Sequence, residues 1–199
     1  NENQPQPEMP KGVEDGILKG LYRLRPAGIK KKGAPRANLL GSGSLMHEAL
    51  AAQRILEDKY GVAANVWSVT GYKQLYREAQ DVSRWNTMHP GEQPRKAYVT
   101  ECMESTGADV TVAVSDYVKA LPDSLARWVP GPFVSLGTDG FGRSDSRPAL
   151  RNFFEVDARY MVAGALTSLA RSGQLPVAIA SQAITDLELN PEKVNPLTQ

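Results

Sequence analysis

The chain has 199 residues, with 23 basic and 22 acidic side chains and a formal net charge of +1. That length fits one domain with a terminal arm and a core burying roughly 70% of the unfolded surface. The charge balance removes the electrostatic case for nucleic acid or an anionic membrane as partner, and no apolar run is long enough to span a bilayer.

The opening, NENQPQPEMPKG, is polar, proline-rich and lacks an initiating Met. It reads as an internal segment, so residues 1–20 are expected to be an arm or linker and 21–199 the domain. A helical turn is expected at 13–18. Residues 21–24 read as an edge strand ended by Pro26. Lys30, Lys31 and Lys32, between Gly28 and Gly33, form an exposed turn. Residues 37–40 form a short buried strand, and Gly41-Ser42-Gly43-Ser44 turns into a helix with Ser44 as its cap. Leu45, Ala49, Ala52, Ile55, Leu56 and Tyr60 recur at helical spacing, and Gly61 stops the helix. The pattern then repeats: a strand at 66–69, Thr70 as a cap, and a helix over 72–85. A helix comes next at 98–103, then the clearest strand at 109–114, β-branched and nearly all apolar. Residues 116–129 read as a helix with Pro122 in its first turns. The last strand is 133–136. Helices at 148–154, 158–171 (stopped by Gly173) and 177–187 complete the chain.

Strands alternating with helices predict a doubly wound, three-layer α/β domain. Its sheet is mostly parallel and covered on both faces. The 21–24 strand has only a short link to the next, so it is expected to run antiparallel at one edge.

Few residues carry recognisable chemistry. The turn at Gly41 and Gly43 sits where a dinucleotide fold holds phosphate, but Met46 stands where a third glycine is needed, and no Walker A sequence is present. The two glycines are expected only to permit a tight turn. His47 and His89 lack the spacing of a zinc site, and each reads as a structural hydrogen-bonder. Cys102, the sole cysteine, excludes an intrachain disulfide, fits a reducing compartment, and is expected to be a buried thiol rather than a nucleophile. Trp67, Tyr72, Tyr76, Trp85 and Phe141 are more aromatics near turns than a small monomer needs, and predict an interface and self-association.

The richest stretch is GTDGFGRSDSR, residues 137–147. Asp139 and Asp145 can bind a metal, though not with EF-hand spacing. Arg143 and Arg147 can clamp a phosphate or carboxylate. Alternatively, Gly140, Phe141, Arg143, Ser144, Asp145 and Arg147 form an Arg–Asp network that stiffens an interface loop at the carboxyl end of a strand. Local composition leaves these readings open.

GTDGFGRSDSR leads to Leu150 and then Phe154-Glu155-Val156-Asp157-Ala158. Other segments accompany it: Asn1-Glu2-Asn3, Met9-Pro10, residues 16–20, LLGSGS, Tyr60-Gly61-Val62, Val66-Trp67-Ser68-Val69-Thr70, Arg84-Trp85-Asn86 with His89-Pro90, and Lys193-Val194-Asn195-Pro196. Together, end to end and in order, they resemble the C-terminal domain of the homodimeric bacterial pyruvate dehydrogenase decarboxylating component, a transketolase-like family. Departures at Gly71, Lys73, the Lys30 turn and Thr106-Gly107-Ala108 touch none of these motifs.

The resemblance implies an intact three-domain chain in the cytoplasm. That enzyme decarboxylates pyruvate on thiamine diphosphate with magnesium and acetylates lipoyl groups of the dihydrolipoyl acetyltransferase. The family holds its cofactor between the first domain of one subunit and the middle domain of the other. The binding motif opens with Gly-Asp-Gly and closes with paired asparagines. Gly137-Thr138-Asp139-Gly140 has an extra residue and no such pair downstream. This domain is therefore expected to bind no cofactor or metal alone and to hold no catalytic residue. Its loop is expected to pack on the remaining domains or the second subunit, and the start of the chain to fall where the family leaves its middle domain. Two rival readings stand beside this one: an autonomous nucleotide-binding regulatory module using GSGS and Arg143, and a related 2-oxo acid dehydrogenase component.

Overall fold

Side chains along a strand alternate between the two faces of a sheet, and the middle strand of this sheet feeds a separate core on each face. In β2 (Arg36–Gly41), Ala37 and Leu39 enter one core while Leu40 enters the other. The computed structural model describes residues 7–198. Within it, β2 lies between β3 (Ala63–Val69) and β4 (Val110–Val114), parallel to both, and β5 (Phe133–Leu136) runs parallel beside β4. At the far edge β1 (Leu21–Arg25) pairs antiparallel with β3, Leu21 opposite Val69. The full order is β1-β3-β2-β4-β5. The expected antiparallel edge strand is present. Its neighbour is β3 rather than the next strand in sequence, because both sides of β2 are already paired.

The helices are α1 (Glu14–Lys19), α2 (Met46–Tyr60), α3 (Tyr72–Met88), α4 (Tyr98–Glu104), α5 (Ala120–Asp123), α6 (Arg147–Phe154), α7 (Ala158–Arg171) and α8 (Val177–Asp186). One face of the sheet carries α2 and α7. Leu56, Met161, Val162 and Leu166 pack there on Leu39, Val66 and Val112. The opposite face carries α3 and α4, with Leu75, Val99 and Met103 packed on Leu21, Leu40 and Ala113. The three-layer, doubly wound α/β class therefore holds.

Asn38 is buried on the α3–α4 face and accepts a hydrogen bond from the Trp67 indole nitrogen at 2.9 Å. Its amide donates to Thr106 Oγ1 at 3.0 Å. A polar side chain is tolerated in this core because its hydrogen bonds are made internally.

Local signals misled at several places. Ser44 does not cap a helix: a 3₁₀ turn at Gly43–Leu45 precedes α2, and the Ser44 hydroxyl turns elsewhere. Thr70 donates to the Ile17 carbonyl at 2.8 Å, and Gly71 takes the cap position of α3. The helix expected over 116–129 breaks into α5 and a 3₁₀ turn at Ala126–Trp128. Pro122 contributes no backbone N–H, which weakens continuous helix there. Of the expected arm, residues 1–6 lie outside the described residues. Further on, α1 ends at Gly20, whose carbonyl accepts from the backbone nitrogens of Thr70 and Gly71.

Candidate functional site at the carboxyl ends of the strands

Neighbouring strands β2 and β4 send their chains to opposite faces, α2 to one and α5 to the other. In open α/β sheets such a divergence leaves a crevice at the carboxyl ends, where ligands bind. Here the crevice is bridged from within. Ser44 Oγ donates to Asp116 Oδ2 at 2.9 Å, joining the loop after β2 to the loop after β4. A Cβ added at Gly43 would lie 3.4 Å from the same carboxylate oxygen. The position at the GSGS turn that would suit an anion thus holds a carboxylate of the chain itself.

Beside this bridge is an open cavity of about 340 Å³, lined by Ser42, Thr70, Lys73, Asp116 and Tyr117 among others. The Tyr72 ring closes one wall. Its hydroxyl lies toward Ser42 but completes no hydrogen bond, and burial pushes its pKa well above the usual tyrosine value.

The 137–147 loop continues from β5 over the same edge. Its first residues are held tightly. Gly137 packs so closely that a Cβ would sit 2.5 Å from the Tyr117 carbonyl oxygen. Thr138 donates its backbone N–H to Tyr117 O at 3.0 Å and its hydroxyl to Asp116 O. Asp139 Oδ1 accepts from the Lys119 backbone nitrogen at 2.9 Å, and its Oδ2 lies 4.0 Å from Lys119 Nζ.

Beyond Asp139 the loop becomes exposed. Phe141 is 85% exposed. The Arg143 guanidinium lies over the Phe153 ring, 4.2 Å from its centroid, rather than outward. Ser144 and Asp145 are exposed, and Asp145 Oδ1 accepts from the Ser146 backbone nitrogen. Arg147 opens α6 and lines a second, smaller cavity with Thr138 and Arg151. The loop therefore approaches the α6–α7 region through Arg143.

That region is punctuated by the FEVDA motif. Glu155 ends α6 with φ +62°, and the Val156 backbone nitrogen donates to Arg151 O at 3.0 Å, a closure characteristic of helix ends. Asp157 then caps α7, accepting from the backbone nitrogens of Arg159 and Tyr160. Buried Val156 packs with Met161 in the core, as a residue before a cap does. The motif is structural.

Several contributors escaped sequence reading. Glu48 Oε1 accepts from Arg151 Nη1 at 2.7 Å, and Glu48 Oε2 accepts from the Ala158 nitrogen at 2.8 Å. Lys193 donates to the carbonyls of Asn152 and Phe153. No local pattern marks a carboxylate or ammonium whose partner lies tens of residues away.

The expected aromatic interface is not assembled. Trp67 and Tyr72 belong to the core. Tyr76 meets Trp128 edge-to-face at 5.8 Å, and Trp85 stacks on His89 at 4.4 Å with Arg95 over its ring. Local stacking and burial satisfied these rings, leaving Phe141 as the strongly exposed member. His89 Nδ1 lies 2.8 Å from the Trp85 carbonyl, consistent with a structural role. His47 is half-buried in the first turn of α2. Cys102, on α4, is also half-buried, and burial raises its pKa.

No three His, Cys, Asp or Glu side chains converge as a metal-ligand set among the described residues. Asp139, the acidic residue nearest a Gly-Asp-Gly pattern, is committed to Lys119. These residues do not fit a magnesium-bound diphosphate. No described helix is long and apolar enough to cross a membrane.

Known proteins place this architecture. The pyruvate dehydrogenase E1 component of Pseudomonas aeruginosa is 45% identical over 198 residues, covering 99% of this chain and 22% of the relative. That of Haemophilus influenzae is also 45% identical, over 199 residues, with coverage of 99% and 22%. That of Escherichia coli K12 is 44% identical over 198 residues, covering 98% and 22%. The chain thus spans 22% of the length of these curated relatives. Transketolase from Campylobacter jejuni superposes with a TM-score of 0.50 and 21% identity, covering 76% of this chain and 19% of that one. A split-gene transketolase described as an inactive beta4 tetramer gives 0.50 and 16% identity, covering 76% and 43%. At those identities the structural likeness is one of fold. Residues 20–157, from the end of α1 through all five strands to the cap of α7, match the transketolase-like C-terminal domain, and the chain belongs to that family.

Proposed function

We propose that this chain serves as the C-terminal domain of a pyruvate dehydrogenase decarboxylating component. The observation that carries this is the 45% identity over 99% of the chain to a pyruvate dehydrogenase E1 component. The whole enzyme would be a cytoplasmic homodimeric oxidoreductase within the pyruvate dehydrogenase complex. It would oxidatively decarboxylate pyruvate and acetylate lipoyl groups of the dihydrolipoyl acetyltransferase. Thiamine diphosphate with magnesium would supply the electron sink that decarboxylation needs, and would be held outside this domain.

The domain's part is assembly. Gly140, Phe141, Arg143, Ser144, Asp145 and Arg147 present an interface to the remaining domains or the second subunit, at the mouth of the active site. Asp116 beside the GSGS turn supports this reading over nucleotide binding, because a phosphate there would meet a carboxylate. Arg143 would shape that surface from beneath, its guanidinium over the Phe153 ring of the same domain orienting the loop instead of reaching a partner.

The test uses the full-length enzyme. Arg143→Lys and Asp145→Asn should lower turnover or loosen the dimer while thiamine diphosphate affinity stays unchanged. Unchanged turnover and unchanged assembly in both variants refute the interface. Lost cofactor affinity in an intact dimer would assign the loop to the active site instead.

A further inference from the structure

We infer that residues 193–198 form a strap that positions the 137–147 loop, with Lys193 as its latch. This rests on reading that loop as an interface, and adds what holds it in place.

The loop needs such a support. Its first residues are tied to the segment after β4 through Thr138 and Asp139. Residues 140–144 make no hydrogen bond among the described residues, yet they carry the most exposed aromatic ring of the chain. Two contacts fix them, and both lead to the strap. Gly140 has φ +91°, and a Cβ there would stand 2.8 Å from the Pro196 carbonyl oxygen and 3.5 Å from Leu197 Cα. The loop backbone thus lies directly on the backbone of the strap. Arg143 stacks on Phe153, whose ring also faces Lys193 Nζ at 5.7 Å.

Lys193 is fastened where a cation belongs. Its ammonium donates to Asn152 O at 2.5 Å and Phe153 O at 2.7 Å, and lies 3.4 Å from Glu155 Oε1. The last carbonyls of a helix lack intrahelical partners and carry the negative end of its dipole. Three residues on, Pro196 is buried and begins a compact turn. Asn195 organises it, its Oδ1 accepting from the Leu197 nitrogen and its carbonyl from Thr198. Latch, turn and loop are therefore in series. Opening the latch frees the turn, and the turn frees Gly140 and the ring beside it.

Trypsin cleavage after Arg143 in the native chain reads the loop, with the melting temperature measured alongside. Two variants separate a strap from a simple helix cap. Lys193→Met removes the latch. A chain ending at Asn195 keeps Lys193 on α6 but removes the turn under Gly140. Both should speed cleavage by about tenfold or more, as expected when a local opening becomes favourable, and Lys193→Arg should restore slow cleavage. Unchanged cleavage in both variants overturns the strap. Faster cleavage in Lys193→Met alone also overturns it, since Lys193 would then act only on α6. If both variants loosen the loop while assembly and turnover of the full-length enzyme stay unchanged, the strap stands and the interface reading falls.

Discussion

Glu48, in the first turn of α2, and Arg151, in the last turn of α6, form a 2.7 Å ion pair across 103 residues of chain. Both side chains are largely shielded, each 17% exposed. Arg151 also donates to the Ser44 carbonyl at 3.2 Å, while the second Glu48 oxygen takes the Ala158 nitrogen. One carboxylate thus ties together the start of α2, the end of α6 and the start of α7. Removing one partner of a shielded pair leaves an uncompensated charge, so Glu48→Ala should destabilise the fold by about 3 kcal/mol. Arg151→Ala should cost a similar amount, and the double variant clearly less than the sum. Urea unfolding of the four proteins measures this, and strict additivity would show that the pair is not coupled.

Phe141→Ala should separate assembly from folding. The ring is 85% exposed, so unfolding free energy should change by no more than about 0.5 kcal/mol. If Phe141 anchors an interface, the dimer dissociation constant of the full-length enzyme should rise by roughly tenfold or more. Sedimentation over a concentration series measures it, and an unchanged constant excludes the ring as an anchor.

Trp67→Phe should be costly although it changes volume only modestly. It removes the closer of two donors to buried Asn38 Oδ1, leaving the Thr106 hydroxyl at 3.1 Å. A lost buried hydrogen bond costs about 1 kcal/mol, and removal of indole atoms adds a packing loss. Denaturant unfolding should show the loss, partly recovered when Asn38 is also replaced by leucine.

Cys102 should react slowly. Burial raises its pKa above the reference of 9.0, the Tyr98 hydrogen bond opposing this only in part. At pH 8 the thiolate fraction is smaller than in the unfolded chain, so alkylation should be slower in the native protein. The same shift links stability to pH. The fold favours the neutral thiol, so this contribution is present below pH 9 and is lost as pH rises through the folded value. Iodoacetamide kinetics from pH 7 to 10, native and in urea, give both quantities. Equal rates in the two states would contradict a raised pKa.

The isolated chain should release no carbon dioxide from pyruvate above the rate of thiamine diphosphate and magnesium alone. Asp139, the acid nearest the required pattern, is engaged by Lys119. Carbon dioxide release by the purified chain above that background would overturn the proposed role.

Much of this molecule is written in local sequence. The β-branched run at β4 and the helical spacing after Gly43 specify strand and helix through backbone propensity and periodicity, which act over a few residues. The alternation of these elements implies a covered, mostly parallel sheet, and the strand before GTDGFGRSDSR places that loop at a carboxyl edge. Other features depended on the assembled sheet. Ser44 has the chemistry of a helix cap, but the order β2-β4 brings Asp116 within 2.9 Å and redirects its hydroxyl. Trp67 and Tyr72 have the composition of an interface, but the registers of β3 and α3 turn them inward. Glu48 meets Arg151, and Lys193 meets the end of α6, because α7 packs on both α2 and the central strands. Side chains that are equally soluble when unpaired carry no local mark of their partners. Strand order and helix packing, which determine the distances between remote residues, made those choices.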